Sequence, residues 1–579
     1  MDDDNFGSFT QSETDDDSNY DGCDTSEEDI DTDDTGETDD ESVDESDDVN
    51  PNSDSSEEGD WVQVLANEAG PPTVRYTGHC GPIHPPQPDA LPIEYLKLFI
   101  TDSFVQKIVD ETNLYASQWI QSHTEYLQQK KRSIVNLWIK QGQTFVNEIL
   151  AFLGVILNMG LIKKPTLRSY WDCTNPSQAT PWFSKHYNRE RFELLLKFLH
   201  FADNSKIPPP DHPAYKLYKI QPVIDHFQRT FKSHYYPERK ISIDESIIGF
   251  RGKTPHLRQY MPNKHHARFG IKVWCLCEAR SGYTYGFEVY RGTAGMQVSD
   301  NGATYDLVMR LLEKADLFHR GHHLGLDNYF SSPKLFEDLW QNGTTATGTV
   351  RTNRKGLPMD AVKKKLKNKE VSERRKGPLL CVAYKDGKKT PVLLSTSSKG
   401  GYKIVKRTGK PDKIVPQIVD DYNHVMGGVD LKDTKLYSYL AERKTLKWTN
   451  KAAFSLIGTA VLNSYLLYVA NTSRSHPLDR YKFMVSLVES LVQNYEPVKI
   501  IRKRRTLEQI QAVSLSPDPV GSPSHVALSA DDGHKIVKLP VGKKRNCIAG
   551  HPKRVRSAIF AQNVMEEFAL NALLFFTIK

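Results

Sequence analysis

The strongest constraint on the fold of this 579-residue chain is that its charges are segregated along the sequence. Residues 1–60 contain 27 Asp and Glu and no Lys or Arg, whereas residues 61–579 contain 45 acidic and 76 basic residues, a net charge of +31. A segment so acidic and so poor in large apolar side chains cannot bury a core. The sequence therefore predicts a disordered acidic arm and a folded body that binds polyanions such as nucleic acid.

Two kinds of hydrophobic pattern divide this body. After a Pro- and Gly-rich segment interpreted as an extended linker (61–90), helical periodicity dominates residues 91–235. Its clearest example is an apolar stripe at helical spacing formed by Ile220, Val223, Ile224, Phe227 and Phe231. From residue 236, short β-branched or aromatic runs predict strands at ISID, GIKVWCLCEA, TYGFEVYRG and HHLGLDNYF, with helices at GATYDLVMRLLEKA and SPKLFEDLWQNG. The body is therefore expected to be mixed α/β.

A third pattern begins at residue 353, where the chain becomes rich in Lys. The segment LLCVAYKDGKKTPVLLSTSS predicts a hairpin around Asp386 and Gly387, so residues 353–415 are interpreted as a basic, β-rich insertion. The insertion interrupts the mixed domain, whose two parts are then 236–352 and 416–435. A helical pattern returns over 436–500, and residues 501–579 form a basic, irregular tail.

Three aspartates that are far apart in the sequence occupy comparable positions in these elements. Asp244 ends the predicted strand ISID, Asp327 ends LGLD, and Asp430 opens a helix after a Gly-Gly pair, with Asp433 on the same helix face. Strand ends and helix starts are where α/β folds collect functional groups, and carboxylates are the ligands that Mg²⁺ prefers. The acids therefore predict a two-ion phosphoryl-transfer site. For the helix pair alone, a solvated first turn favoured by the helix dipole is the alternative.

Basic residues interleaved with aromatic ones predict DNA contacts, with phosphate binding and base stacking as the two modes. One patch surrounds Tyr260 and Phe269, and its alternative is a solvated strand edge. Trp448 is a candidate for base stacking or, equally, a core residue at a helix start. The candidate DNA-binding residues are Arg258, Lys264, Arg268, Lys272, Arg351, Arg354, Arg443, Lys444 and Trp448.

Histidines and cysteines give little support to a second metal centre. Two adjacent histidine pairs could ligate zinc, but no cysteine accompanies them: His265 and His266, and His322 and His323. The seven cysteines include no C-x-x-C pair, so we expect reduced, buried thiols. The longest apolar run, ILAFLGVIL, is too short to cross a bilayer, and no membrane association is expected.

Clusters of basic residues near the end of the chain match the pattern of nuclear import signals. They are IIRKRR (500–505) and a two-part cluster of Lys543, Lys544 and Arg545 with Lys553 and Arg554. These clusters predict a nuclear location and import factors as partners. General affinity for DNA is the alternative explanation.

Eight segments of the chain, in this order, resemble the piggyBac family of DNA transposases and their domesticated derivatives. They are YLKLFITDSFVQKIVDETNLYA, MGLIKKPTLRSYW, ISIDESIIGFRGK, YMPNKHHARFGIKVWCLCEARSGY, LGLDNYFSSPKLFEDL, GTVRTNRKGLP, YNHVMGGVDLKD and RKTLKWTNKAAFSLIGTAVLNSY. The resemblance implies that Asp244, Asp327 and Asp430 are catalytic aspartates that bind Mg²⁺, or Mn²⁺ in its place, with Asp433 as an accessory acid.

The same resemblance implies an architecture and an activity. The catalytic core would be RNase H-like, split by the β-rich insertion and flanked on both sides by a helical region for dimerisation and DNA binding. A homodimer would cleave and transfer DNA strands at TTAA target sites.

The C-terminal tail departs from the family pattern. Family members usually end in a zinc domain rich in Cys and His, but after Cys547 the expected cysteines do not follow. We therefore expect no zinc and impaired recognition of transposon ends. Two alternatives stay open: a domesticated, catalytically silent DNA- or chromatin-binding protein, which would keep the same acids, and a glycosidase with paired carboxylates, which does not fit the basic body.

Overall fold

The computed structural model describes residues 61–64, 70–130, 133–252, 257–261, 267–292, 298–407, 410–441 and 447–497. The acidic arm and the basic tail with both import clusters lie outside these residues. So do three of the predicted DNA contacts, Lys264, Arg443 and Lys444, and the pair His265 and His266. The predictions for all of these residues stay predictions.

The first part of the described chain is helical. After the short strands β1 (Val62–Gln63) and β2 (Gly81–Pro82) come α1 (Pro92–Lys97), α2 (Asp102–Ser122), α3 (Thr124–Gln129), α4 (Val135–Gln141), α5 (Val146–Leu161), α6 (Pro181–His186), α7 (Arg189–Phe198) and α8 (Gln221–Ser233). The apolar stripe predicted along α8 is confirmed, because all five of its side chains are at most 3% exposed.

The central part of the chain alternates strands and helices. Its elements are β3 (Tyr235–Tyr236), β4 (Lys240–Gly249), β5 (Arg258–Tyr260), β6 (Phe269–Glu278), β7 (Thr284–Val289), α9 (Ala303–Ala315), β8 (His323–Leu326), α10 (Pro333–Gln341) and β9 (Thr345–Val350). They are followed by α11 (Met359–Val362), β10 (Val371–Lys376), β11 (Leu379–Tyr384), β12 (Val392–Ser395), β13 (Tyr402–Arg407) and β14 (Lys410–Pro416). The last helices are α12 (Gln417–Val425), α13 (Gly428–Tyr439), α14 (Trp448–Asn471) and α15 (Arg480–Val492).

Ten of the described strands form one mixed sheet in the order β1-β10-β11-β12-β9-β8-β4-β6-β5, with β7 also paired to β6. Strands β4, β8 and β9 are parallel to one another. The other pairs in this sheet are antiparallel. The predicted mixed α/β class is confirmed.

The insertion contributes strands to this same sheet. The predicted hairpin is present, since β11 pairs with β12 and its turn places Gly387 at φ +62°, a conformation that favours glycine. Strand β12 then pairs with β9, while β13 and β14 pair only with each other. Interpreting residues 61–90 as a plain linker is incomplete, because β1 pairs with β10 and β2 with β3.

Helices from both ends of the described chain pack into one helical region around a buried ion pair. Arg191 of α7 donates two hydrogen bonds to Glu148 of α5, at 2.9 and 2.8 Å, and the Tyr495 hydroxyl adds a third at 3.1 Å. Both charged side chains are about 95% buried. A buried charge is strongly destabilising without an ionic partner, and here Arg191 and Glu148 are partners of each other. The hydrogen bond from Tyr495 to Glu148 joins segment 436–500 to segment 91–235.

One helix of this region, α14, is long and apolar enough by composition to cross a membrane, but 78% of its most apolar stretch is buried inside the protein. The prediction of buried thiols holds for Cys275, Cys277 and Cys381. It is wrong for Cys80 and Cys173, which are exposed because they lie in irregular segments outside the helices and strands.

Candidate active site

Three parallel strands bring polar side chains into one row. Ser242 of β4 pairs with Gly325 of β8, which pairs in turn with Thr347 of β9. Parallel strands lie about 4.8 Å apart, and residues two apart on a strand share a face. Two residues after Ser242, Gly325 and Thr347 come Asp244, Asp327 and Thr349, which therefore form the next row on the same face of the sheet.

The elements that carry the aspartates differ in one respect from the prediction. Asp244 does not end a strand, because β4 continues to Gly249 through its pairing with β6. It lies instead two residues beyond the last register pair of β4 with β8, Ser242 and Gly325. Asp327 directly follows β8, and Asp430 lies in the first turn of α13, as predicted.

The corner between α12 and α13 lies close against the sheet at this row. A Cβ atom at Gly428 would be 2.6 Å from Ser242 Oγ, and one at Gly325 would be 3.0 Å from the carbonyl of Val425. Such distances leave no room for a side chain, so both glycines permit the close approach. Asp430 is exposed in the first turn of α13, two residues beyond Gly428.

Tyr422 of α12 is a side chain on which the charges of all three aspartates act. Burial raises the pKa of this phenol, a hydrogen bond with Thr349 partly opposes the shift, and the charges of Asp327, Asp244 and Asp430 raise the pKa further. The hydroxyl therefore stays protonated. Although 83 and 103 residues separate the aspartates in the sequence, one side chain experiences all three charges.

The donor chemistry of this group fits a hard divalent cation. Asp244 Oδ1 accepts a hydrogen bond from the N–H of Glu245 at 2.8 Å, and Asp327 Oδ1 accepts one from the N–H of Tyr329 at 2.9 Å. These bonds orient two carboxylates of the kind that Mg²⁺ prefers. Within the described ranges, however, no three His, Cys, Asp or Glu side chains already stand close enough to hold a metal ion. An ion would have to draw the carboxylates together.

Asp433, the predicted accessory acid, is only 8% exposed and forms a buried ion pair. Its Oδ1 accepts hydrogen bonds from Ser246 Oγ at 2.7 Å and from Lys432 Nζ at 2.8 Å. Burial opposes the charge on Lys432, but the neighbouring Cys275 and Asp433 outweigh it and raise the pKa of the ammonium group. The structure thus places Asp433 beside a cation of the protein itself.

Three of the predicted DNA contacts surround Tyr329, two residues after Asp327. The Lys272 ammonium group lies 5.4 Å from the Tyr329 ring centroid, and the Arg351 guanidinium lies 5.9 Å from it. Arg354 donates a hydrogen bond to the Tyr329 carbonyl at 2.7 Å. The structure therefore gathers these three cations around Tyr329, and Lys272 lies on the face of β6 opposite that of Cys275, the register partner of Asp244.

The other described candidates lie elsewhere. At the sheet edge formed by β5, Tyr260 and Phe269 are exposed with ring centroids 4.8 Å apart, and the Arg258 guanidinium is 5.6 Å from Phe269. Arg268 is exposed beside them. Trp448, the first residue of α14, packs half-buried against the hydrophobic core.

His322 and His323 are buried, and desolvation lowers their pKa values to about 4 and about 3. Hydrogen bonds inside the fold engage both rings, His322 Nδ1 with the Glu238 carbonyl and His323 Nδ1 with Thr345 Oγ1. These two histidines are neutral structural residues. Their neighbourhood gives no support to zinc ligation.

Four residues of this site were not predicted from the sequence: Thr349, Tyr422, Ser246 and Lys432. Tyr422 and Lys432 lie in the segment YNHVMGGVDLKD that carries Asp430, so the signal was their proximity in sequence to a candidate ligand. Thr349 and Ser246 become identifiable only from the strand register.

A mixed sheet with an aspartate row under a helical corner agrees with what the comparisons with known proteins show. The family model described as Transposase IS4 matches residues 91–465, and the chain belongs to this family of transposases. Within it, the chain is of the piggyBac type.

The relatives and solved structures support this membership. The chain is 28% identical over 404 residues to PiggyBac transposable element-derived protein 3 of Homo sapiens, and 27% identical over 401 residues to protein 2. These alignments cover 68% and 65% of this chain but only 63% and 61% of the two relatives. The cryo-EM structure of a piggyBac transposase synaptic complex with hairpin DNA is similar with a TM-score of 0.62 and 26% identity, over 77% of this chain and 90% of that one.

Proposed function

We propose that this protein is a nuclear, transposase-derived enzyme that cleaves and transfers DNA strands at a divalent-metal site formed by Asp244, Asp327 and Asp430. The observation that carries the proposal is the placement of Asp244 and Asp327 each two residues beyond the register pair Ser242 and Gly325, under the corner whose Gly428 packs against Ser242. A glycosidase is disfavoured, because paired carboxylates alone support it and the net charge of +31 on residues 61–579 favours a polyanionic substrate.

An RNase H-like core is supported by the strand order β7-β6-β4-β8-β9. Strands β7, β6 and β4 form an antiparallel meander, and β8 and β9 then extend the sheet in parallel with β4. Two of the three aspartates belong to adjacent parallel strands of this core. The insertion begins directly after β9 and returns to the core at α12.

Each aspartate has a role that its position supports. Asp244 and Asp327 hold the ions from the sheet, and Asp430 closes the site from α13. Mg²⁺, or Mn²⁺ in its place, supplies stabilisation of charge on the attacking and leaving oxygens of the phosphodiester. The protonated Tyr422 hydroxyl, which is hydrogen-bonded to Thr349, adds no charge to the site from α12.

The DNA backbone is bound by two groups of cations. Lys272, Arg351 and Arg354 hold phosphates around Tyr329, two residues after Asp327. Arg258 and Arg268 contact DNA at the β5 edge, together with Lys264, Arg443, Lys444 and Trp448. Phosphate contacts of this kind fix the position of the substrate and carry little sequence information.

The family resemblance extends the proposal to the whole protein. It acts as a homodimer on DNA with TTAA target sites, enters the nucleus through Lys543, Lys544, Arg545, Lys553 and Arg554, and uses no zinc. Since the cysteines expected after Cys547 are absent, recognition of transposon ends is impaired.

The experiment that tests the function is nicking of supercoiled DNA by the full chain, with Mg²⁺ and with EDTA. Nicking is expected only with Mg²⁺ and is expected to fall at least about 100-fold in Asp430→Asn, because a charged oxygen ligand is lost. Asp412→Asn is the matched control, since this carboxylate is exposed on β14 and its removal should leave the rate unchanged.

A second candidate function is supported by one observation. In the described part of the chain, no three His, Cys, Asp or Glu side chains lie close enough together to hold a metal ion. A catalytically silent DNA- or chromatin-binding protein is therefore consistent with the same fold. Metal-independent DNA binding without any nicking, in the parent and in Asp430→Asn alike, would favour this alternative.

A further inference from the structure

Lys432 places a positive charge inside the acidic site. It lies on α13 between Asp430 and Asp433, is only 4% exposed, and donates hydrogen bonds to Asp433 Oδ1 at 2.8 Å and to Ser246 Oγ at 2.9 Å. Its Nζ also lies 3.9 Å from the Sγ atom of Cys275. The ammonium group is thus surrounded by protein atoms on several sides.

The strand register shows where this charge lies relative to the catalytic row. Cys275 of β6 is the register partner of Asp244 on β4, and directly opposed residues of an antiparallel pair share a face. Ser246 is two residues beyond Asp244 and lies on that same face. The Lys432 ammonium group is therefore held between neighbours of Asp244 on the side of the sheet that carries the aspartates.

The backbone of Lys432 is also fixed in place. Gly282, at φ +77° in the turn between β6 and β7, lies so close that a Cβ atom there would be 2.9 Å from the backbone nitrogen of Lys432. The lysine cannot move outward without moving this turn. Because a buried carboxylate is strongly destabilising when unpaired, Asp433 depends on this cation.

We propose that Lys432 is a built-in cation of the site, which neutralises Asp433 and leaves three aspartates, not four, to bind exchangeable divalent ions. The proposal rests on the metal-dependent function above. Two arguments support the assignment. Asp433 Oδ1 already accepts hydrogen bonds from two donors, Ser246 and Lys432. A divalent ion next to the fixed ammonium group would also be repelled strongly in a partly desolvated site.

Binding of Mn²⁺ to the full chain without DNA tests the proposal, measured by calorimetry and by electron paramagnetic resonance of the free ion. Asp430→Asn should weaken binding at least about tenfold, as the loss of a charged ligand does. Asp433→Asn alone leaves the Lys432 ammonium group uncompensated and should also weaken binding about tenfold, by repulsion and not by loss of a ligand. Lys432→Met should tighten binding about tenfold, and Lys432→Met/Asp433→Asn should return to the parent value.

Weakening in Lys432→Met/Asp433→Asn as large as that in Asp430→Asn would overturn the proposal, because the net charge is then that of the parent and Asp433 would have to ligate the ion through its second oxygen. This comparison decides the matter even if Lys432→Met does not fold. A parent that binds no Mn²⁺ contradicts the metal-dependent function instead. In that case, a Mn²⁺ site gained in Lys432→Met supports the role of Lys432, and continued absence of binding contradicts it.

Discussion

Asp244 and Asp327 lie at equivalent positions of two adjacent parallel strands, each two residues beyond the register pair Ser242 and Gly325. This relationship makes the site a property of the sheet register, since a slip of one residue in β8 would turn Asp327 to the opposite face. Asp430 comes from a different element, the first turn of α13 after the corner that lies against the sheet.

The close approach of that corner predicts a difference between two neighbouring glycines. Gly428→Ala should destabilise the protein by about 1–3 kcal/mol, because its Cβ atom would meet Ser242 Oγ at 2.6 Å and the carbonyl of Glu278 at 2.9 Å. Gly427→Ala is the matched control, as a Cβ atom there meets nothing within 4 Å. Urea unfolding of both variants checks this, and equal stabilities would show that the corner does not lie against β4.

The buried His322 predicts a loss of stability in acid. Its pKa is lowered from 6.5 to about 4 by burial, so between these pH values the unfolded chain binds a proton that the folded chain does not. Stability should therefore fall as the pH drops from 6.5 to 4, by at most about 3 kcal/mol from this residue.

Replacing the histidine should remove this part of the pH dependence. His322→Gln should show a shallower fall in the free energy of unfolding between pH 6.5 and 4, whereas His476→Gln, at an exposed position, should follow the parent. Parallel curves for the parent and His322→Gln would mean that His322 is protonated in the fold.

DNA binding should be mostly electrostatic, because residues 61–579 carry a net charge of +31. The logarithm of the affinity should fall linearly with the logarithm of the salt concentration, by about 0.9 for each phosphate contacted. Fluorescence anisotropy on unrelated duplexes measures this slope. Tight, salt-resistant binding to one short sequence would contradict a mainly electrostatic mode of binding.

The acidic arm should compete with DNA for the basic body. It joins the described chain at Trp61, whose indole donates a hydrogen bond to the Gly356 carbonyl at 3.1 Å, and β1 then pairs with Arg374 and Arg375 of β10. The 27 acidic residues are therefore tethered at the insertion, where their local concentration is high.

Deleting residues 1–60 should tighten non-specific DNA binding at low salt and have little effect at high salt, because charge interactions are screened over about 8 Å at physiological ionic strength. A control chain with the acids of the arm replaced by Asn and Gln should behave like the deletion. Equal affinities of parent and deletion at low salt would leave the arm with a role in solubility alone.

The sequence allowed the elements of the site to be predicted better than their arrangement. The period-two and helical patterns located β4, β8 and α13, and the Gly-Gly pair indicated the helix start that carries Asp430. No local pattern shows which strands are neighbours, so the row formed with Thr349 required the sheet topology. The end of β4 was misjudged because Ser246 and Ile247 continue the strand through pairing with β6, a long-range interaction.

The roles of charged residues near Asp430 were hardest to predict. Asp433 and Asp430 look equivalent in sequence, but one is buried against Lys432 and the other is exposed. What separates them is the direction in which each side chain leaves α13 relative to Ser246, and this depends on how the helix packs on the sheet.

Exchange of each aspartate for cysteine tests the central claim most directly, that Asp244, Asp327 and Asp430 together bind one set of divalent ions. Each Cys variant should lose DNA nicking with Mg²⁺ and recover part of it with a thiophilic ion such as Cd²⁺, because thiolates prefer softer metals. Asp412→Cys should behave like the parent with both ions. Full Mg²⁺-dependent nicking by any one of the three variants, or no recovery in all three, would contradict the account.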